Sequence, residues 1–386
     1  MSATIRITVS ATTRLEDLPR VSRGRVLPTA MSCIKDALLS RDVDPAFALP
    51  LAVRGKGGRL PTSLDLPRYC DLMQRAARQS GNDSFGLECG RDLMRERLGL
   101  VGDIVLSSPT VGSALENLVG CFPFHQQNTA IAFRRTAGLC RLEYRILDGG
   151  IIDRRQEAEL TISSLLRLLR ECLGGDWRPD EVHFEHPRPE RIQAHRQILA
   201  APVYFAMATN ALLFREPDLS HPLRGGNPGR VDTLRRNLVE LADDTAALSL
   251  TDEVAGEIRF RLAGGYPHIE NVADALRMTR WTLQRRLAEH DVTFSDLVER
   301  VRRGLADLHL GAAHMPIREI ADLLGYSELS AFTRASVRWF GAPPSKVRER
   351  ILKGTVTDLG ECNEKSIGRP RGDLGFVRAQ TDGTRR

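Results

Sequence analysis

The sequence predicts an α+β domain followed by an all-α domain that contains two similar helix pairs. Strand and helix patterns alternate over the first 220 residues, and a run rich in proline and glycine follows at 220–230. From there to Ile351 the patterns are helical. Hydrophobic residues at 42% and charged residues at 27% are typical of a soluble globular chain, and 386 residues suffice for two or three domains.

The N-terminal elements follow from hydrophobic periodicity and from turn residues. Residues 1–30 are polar and aperiodic, which predicts a flexible arm before a domain at 31–220. Turn residues at 136–138 join two strands into a hairpin, and Gly174 is suited to end the longest helix. The predicted helices are Tyr69–Arg78, Pro109–Val119, Arg155–Leu173 and Arg191–Leu199, and the predicted strands are Thr129–Arg135, Leu139–Ile146 and Glu181–Glu185.

Composition gives the remaining boundaries. The run Ser220–Arg230 has two prolines and three glycines in eleven residues, which predicts a linker over 221–251. Residues 252–351 form the predicted helical domain, and the polar, glycine-rich residues 352–386 are typical of a disordered tail. The net charge of +6 is spread evenly, so charge alone does not locate a nucleic-acid surface.

An internal repeat is the most informative feature of the C-terminal half. Val272–Leu276 recurs 48 residues later as Ile320–Leu324. Each copy is followed by a hydroxyl residue, Thr279 or Ser327, that is suited to cap a second helix. The repeat predicts two helix-turn-helix units, at about 269–290 and 317–341.

The residue types in each copy suit this motif. Ala273 and Ala321 are small enough for a close helix crossing, and Gly325 accepts the positive φ of a tight turn. Leu283 and Phe332 are the expected inner anchors of the second helices. The outer faces carry long polar side chains that can reach base edges in the major groove. The predicted DNA-binding residues are Arg280, Trp281, Gln284 and Arg285 in the first unit, and Glu328, Ser330, Thr333 and Arg334 in the second.

Residues 252–351 resemble the DNA-binding domain of AraC/XylS transcription regulators, and the run 320–345 is similar almost position by position. The resemblance implies a long helix, Asp296–Leu310, that holds the two recognition helices one DNA turn, or ~34 Å, apart. Two positions depart from the family pattern. Arg277 replaces the usual glycine of the first turn, so either it adopts positive φ at a cost of about 1 kcal/mol or the turn differs. Ser336 replaces a buried phenylalanine, which predicts a cavity or a repacked second unit with less weight in DNA affinity.

The N-terminal half resembles the arabinose-binding-like domain found in one group of these regulators. The similar segments are Leu142–Asp148, Arg155–Leu160, Asp176–Val182, Pro202–Phe205 and Asn210–Phe214. The implied fold is an α+β N-terminal sensor/dimerisation domain followed by an all-α DNA-binding domain with two helix-turn-helix units. The implied partners are double-stranded promoter DNA, RNA polymerase, a small-molecule effector and a second copy of the chain in a homodimer. The resemblance thus implies an effector-responsive activator of a metabolic or virulence operon.

Two alternatives remain open at this stage. One is a constitutive dimeric DNA-binding regulator without a ligand. The other is a DNA-repair alkyltransferase with an AraC-like module, which needs a reactive cysteine, and none of the seven cysteines lies between proline and histidine. Otherwise no enzyme activity and no cofactor are expected.

Other patterns argue against metal and membrane sites. His183 and His186 would point to opposite faces of a strand, so we expect no metal site there. Glu157 and Glu159 are expected to be solvated. The chain has neither a membrane-spanning apolar run nor a signal peptide, so a cytoplasmic location without membrane contact is expected.

Overall fold

The computed structural model describes residues 25–26, 38–40, 64–92, 98–240, 248–262 and 264–353. Most of the predicted arm, and the predicted tail from residue 354 onward, lie outside these ranges. Within the predicted arm, Arg25–Val26 form strand β1, which pairs antiparallel with β2 (Leu64–Asp65). Val26 is fully buried in the N-terminal core, so these two residues differ from the expected flexible arm.

The N-terminal half is a mixed α+β domain, as predicted. Its helices are α1 (Leu66–Gln79), α2 (Phe85–Arg91), α3 (Gly99–Leu106), α4 (Val111–His125), α5 (Arg155–Leu173), α6 (Gln193–Leu199) and α7 (Pro228–Glu240). Its further strands are β3 (Thr129–Thr136), β4 (Leu139–Ile146), β5 (Glu181–His183), β6 (Val203–Tyr204) and β7 (Asn210–Arg215). A 3₁₀ turn, Glu216–Ser220, follows β7.

One five-stranded sheet, in the order β3-β4-β7-β5-β6, organises this domain. The pairing is antiparallel except between β5 and β6. The predicted hairpin is confirmed: Thr136 pairs with Leu139, and Ala137 and Gly138 both have the positive φ of a two-residue turn. Alternate side chains of β4, from Cys140 to Ile146, are buried against the helices.

Helix α5 has the predicted bounds, but its environment differs from the prediction. Glu157 and Glu159 are fully buried, so the expectation that they are solvated is wrong. The reason is that α5 packs between the sheet and α2, and both carboxylates find donors there. Glu157 accepts from the Tyr144 hydroxyl at 2.6 Å, and Glu159 accepts from His195 Nε2 at 2.9 Å.

The predicted linker is in large part a packed helix. Helix α7 lies within the 221–251 segment and contacts α3. Its Val231 and Leu238 side chains are buried in the N-terminal core. The proline- and glycine-rich run therefore lies only at the start of the predicted linker. Its last proline, Pro228, is in the first turn of α7, where proline is well tolerated.

The C-terminal half is helical and has a hydrophobic core of its own. Its helices are α8 (Leu250–Leu262), α9 (Ile269–Ala275), α10 (Arg280–Ala288), α11 (Phe294–Leu310), α12 (Ile317–Leu323) and α13 (Leu329–Phe340), and residues 344–353 are also helical. The separate core of this part begins at Val254. The predicted fold class is thus confirmed in both halves.

The two domains contact each other directly through α8. Arg145 on β4 donates to Glu257 Oε1 at 3.0 Å, and its guanidinium lies 3.9 Å from the centre of the Phe260 ring. Arg259 on α8 donates to the backbone carbonyls of Ile151 and Ile152 at 2.9 and 2.8 Å. Helix α8 is therefore attached to both the sheet and the segment that leads into α5.

A glycine pair lets the backbones approach closely at this contact. Gly149 donates its backbone N–H to the carbonyl of Asp252 at 3.1 Å. A Cβ on Gly256 would lie 2.1 Å from the carbonyl oxygen of Leu147, a distance no side chain can occupy. The arrangement therefore requires glycine at position 256.

Candidate nucleic-acid interface

The first helix-turn-helix unit is formed by α9 and α10. Arg277 in the turn has φ +56°, which confirms the strained position predicted there. Thr279 caps α10, since its side chain accepts from the backbone N–H of Thr282 at 3.1 Å. Ala273 and Leu283 are buried at the crossing, as expected. The helix α10 therefore projects from a well-packed base.

The opposite face of α10 carries the four residues predicted from the sequence. Trp281 is 82% exposed and lies outside the hydrophobic core, and Gln284 is exposed beside it. The Arg285 side chain is 75% exposed and lies 3.9 Å from Glu289, one turn later. Arg280 donates to Glu270 Oε1 at 2.9 Å, which fixes its direction across the start of the helix. The structure thus brings these four side chains together on one accessible surface.

The second unit, α12 and α13, matches the first in plan and differs in its cap. Gly325 in the turn has φ +70°, and Phe332 is fully buried as the inner anchor. The predicted cap at Ser327 is wrong, because the N-cap is Glu328 and its side chain makes no capping bond. One more residue separates Ser327 from Phe332 than separates Thr279 from Leu283, so Ser327 falls one position before the N-cap, Glu328.

The outer face of α13 is smaller and less basic than that of α10. Ser330 and Arg334 are exposed, and Glu328 adds a negative charge at the helix start. The Thr333 hydroxyl donates to the Leu329 carbonyl at 2.9 Å, which uses its only proton. Val337 is 46% exposed one turn further along this face, and sequence reasoning missed it. Its spacing of four residues from Thr333 was the available signal.

Arg302, on the long helix α11, holds the turn of the second unit. Its guanidinium donates to the carbonyls of Leu324 and Gly325 at 2.8 and 2.9 Å and lies 4.2 Å from the centre of the Tyr326 ring. These carbonyls end α12 and have no partner within the helix. The buried Arg302 therefore ties the helix between the two units to the second turn.

Replacing Arg302 by methionine is expected to destabilise the C-terminal domain by about 2 kcal/mol, because two bonds from a charged donor to buried carbonyls are lost. Urea denaturation followed by tryptophan fluorescence measures the change. Arg300→Met is the matched control, since Arg300 is exposed on the same helix. Equal stability of the two variants would contradict this role.

Ser336 is fully buried, and its environment explains how the family's larger residue is replaced. The hydroxyl donates to the carbonyl of Ala342 at 2.9 Å, so the polar group is satisfied. In the same unit, the Tyr326 ring lies 5.8 Å from Phe332 and 6.5 Å from Trp339. Trp339 in turn donates to Glu299 on α11 at 2.8 Å. The second unit thus contains an aromatic cluster and a satisfied Ser336 hydroxyl.

Burial and local contacts account for the cysteines that the structure describes and for His183 and His186. The cysteines that the structure describes are buried, and burial raises the pKa of Cys70, Cys121, Cys140 and Cys172, which makes them poor nucleophiles. Cys33 and Cys362 lie outside the described residues. His183 contacts Arg141, and His186 contacts Glu159, so these two histidines face different partners.

Neither a metal-binding cluster nor a membrane-spanning helix occurs in the described part of the chain. There, the histidines, cysteines and carboxylates form no cluster of three or more that is arranged to hold a metal. Within the same ranges, none of the helices has the length and apolar character of a membrane span.

Comparisons with known proteins agree with this architecture. A model described as "Arabinose-binding domain of AraC transcription regulator, N-term" matches residues 60–223, and a "Helix-turn-helix domain" matches residues 272–350. The HTH-type transcriptional regulator VirS of Mycobacterium tuberculosis is 28% identical over 289 residues, which cover 74% of this chain and 84% of VirS. The Ornithine utilization regulator of Pseudomonas aeruginosa is 26% identical over 321 residues, 79% of this chain and 89% of that protein.

A crystal structure of the transcriptional regulator CdpR from Pseudomonas aeruginosa aligns with a TM-score of 0.41 and 21% identity, over 83% of this chain and 98% of that chain. The two family matches fall on the two halves that the structure separates by their cores. The chain belongs to the AraC/XylS family of transcription regulators and joins an arabinose-binding-type N-terminal domain to a DNA-binding helix-turn-helix domain.

Proposed function

We propose that this regulator reads DNA by placing α10 and α13 in successive major-groove segments and that it activates transcription in response to a small molecule. The proposed recognition of bases rests on the exposed outward face of α10. Its large side chains, with Trp281 82% exposed, project from a helix whose other face is packed. These side chains are long enough to reach base edges in the major groove, and the contacts made there must offset the entropy that the side chains lose on binding.

The side chains of α10 divide by chemistry. Arg285 can donate two parallel hydrogen bonds to guanine, and Gln284 can pair in the same way with adenine. Trp281 is assigned to a thymine methyl group or to the sugar edge. Arg280, already oriented by Glu270, is assigned to the flank of the same segment.

The second unit is assigned the smaller share of base recognition. Arg334 and Ser330 are the polar groups of α13 that remain available, and Val337 offers an apolar contact of the kind that suits a thymine methyl group. Glu328 repels phosphate at the helix start and accepts only from a base donor such as cytosine N4. The bonded Thr333 hydroxyl can still accept a hydrogen bond.

The partners follow from the same proposal. Promoter DNA, RNA polymerase and a second copy of this chain are the proposed macromolecular partners, and a small-molecule effector is proposed for the N-terminal half. One relative is named for ornithine utilization, which supports a metabolic operon as the target. A constitutive regulator is the second candidate, and a ligand-dependent change in DNA affinity separates the two.

Arg285→Ala is expected to weaken binding to the cognate site by ~1–3 kcal/mol and to relax specificity at one base pair, because a paired contact to guanine is lost. Fluorescence anisotropy with cognate and random duplexes at fixed salt measures both effects. Arg75→Ala, which removes an exposed arginine of the N-terminal domain, is the charge-matched control and should leave binding unchanged. Equal losses on both duplexes would make Arg285 a phosphate contact.

A further inference from the structure

A cavity of about 240 Å³ lies between the two domains. One wall is N-terminal and includes Gln74 and residues 152–155. The other wall is C-terminal and is formed by α8, α11 and the start of the second unit. Pockets for drug-sized ligands typically measure about 300–1,000 Å³. The cavity is smaller than that, so its volume suits a small metabolite.

Hydrogen-bond donors from both domains line the cavity. The side-chain amide nitrogen of Gln74 is buried and has no partner in the structure. Such a donor costs free energy unless something accepts from it. Arg259 reaches the same cavity from α8, and His309 reaches it from α11. Three donors from two domains therefore face a common space.

The charge of the lining favours an anion. Four arginines and two carboxylates line the cavity, and Arg155 is also paired with Glu159 and Asp83 outside it. Burial keeps His186 and His309 neutral by lowering their pKa to about 4 and about 3. Arg154 binds Glu185 through two hydrogen bonds of 2.6 and 2.9 Å. Arg259 lies 3.9 Å from that carboxylate, so the two form an ion pair without a hydrogen bond.

Apart from His314, the rest of the C-terminal wall is apolar. It includes Leu305, Leu308, Ala312, Met315 and Leu323. An ion without an apolar body would leave this surface against water, whereas an aliphatic or aromatic group would bury it. The lining thus combines hydrogen-bond donors with a hydrophobic wall.

We propose that the cavity binds a small organic acid, with its carboxylate toward Gln74 and Arg259 and its apolar body against α11. The regulatory meaning of this site rests on the function proposed above, whereas the binding itself does not. Because Leu305 and Leu308 lie on the helix between the reading units, and Leu323 lies on α12, the ligand would contact the elements that position both recognition helices. Its binding would therefore favour the domain arrangement seen here.

The test uses hexanoate as the probe and hexanamide as its uncharged match, titrated calorimetrically into the full chain at pH 7.5. Hexanoate should bind at least ten-fold more tightly than hexanamide. Leu308→Trp, which fills the cavity from a half-buried position, should abolish binding, and Arg259→Gln should weaken it at least ten-fold. Arg300→Gln, on the exposed side of α11, should leave the affinity unchanged.

Three outcomes overturn the site: no binding of hexanoate to the wild-type chain, equal binding of the amide, or unchanged affinity in Leu308→Trp. If Arg259→Gln fails to fold, the amide comparison and Leu308→Trp still decide. Duplex DNA binding, measured on the same preparations, separates the two proposals. Intact hexanoate binding without DNA binding overturns the proposed function alone, and the reverse pattern overturns the cavity alone.

Discussion

Replacing Gly256 by alanine is expected to destabilise the chain by about 3 kcal/mol, the upper end of the usual cost of overpacking. The added Cβ would lie 2.1 Å from the Leu147 carbonyl oxygen and 3.6 Å from the Gly149 nitrogen. These are backbone atoms at a strand end and cannot rotate away as a side chain would. Helix α8 must therefore shift and strain the Gly149–Asp252 hydrogen bond and the Arg145–Glu257 ion pair.

Urea denaturation measures this effect, and Gly120→Ala is its control. Gly120 is also helical, within α4, and the nearest atom to an added Cβ there is 4.0 Å away. Alanine at such a site should stabilise the chain by up to about 1 kcal/mol through helix propensity. The two substitutions are chemically identical and should differ in sign. A Gly256→Ala chain as stable as the wild type would show that α8 does not rest on the N-terminal domain.

Acid is expected to destabilise the chain well above the range in which most carboxylates titrate. Burial lowers the pKa of His125 to about 4, of His186 to about 4 and of His309 to about 3. In the unfolded chain these rings titrate near pH 6.5. Between the two values the unfolded state binds more protons, so stability is complete above about pH 6.5 and falls as the pH is lowered.

At pH 5 each of the three histidines should cost about 2 kcal/mol relative to pH 7.5. The pKa of Glu157, which burial raises, works in the opposite direction and reduces the sum. Denaturation of the wild type and of His309→Gln at both pH values measures the contribution of one ring. His290→Gln, an exposed histidine, should leave the pH dependence unchanged. An equal pH dependence in wild type and His309→Gln would show that His309 is not buried as described.

Local patterns predicted the elements of this fold well, and tertiary packing decided the rest. The bounds of α5 and β4 follow from periodicity and from the flanking turn residues. The burial of two charged residues in the same helix does not follow from periodicity. Glu157 and Glu159 are charged in sequence, but their burial depends on partners such as Tyr144 and His195, which are distant along the chain.

Sequence patterns likewise predicted some parts of the candidate site and not others. The repeat predicted both recognition helices and their buried anchors, because cap, crossing and anchor are short-range features. It failed at Ser327, where one extra residue shifted the helix start, and it passed over Val337. The hydrogen bonds from Arg302 to the second turn and the cavity lined by Arg259 arise from contacts between separate elements. Sequence spacing does not encode such contacts.

Selection of bound duplexes from a random DNA pool by the full chain tests whether both helix-turn-helix units read bases. We expect one enriched motif with two blocks whose centres lie about 10–11 base pairs apart, the spacing of successive major grooves on one face. In parallel selections, Arg285→Ala should degrade one block and Arg334→Ala the other. Failure to enrich any motif, or a motif whose blocks both survive both substitutions, would contradict reading by two helix-turn-helix units.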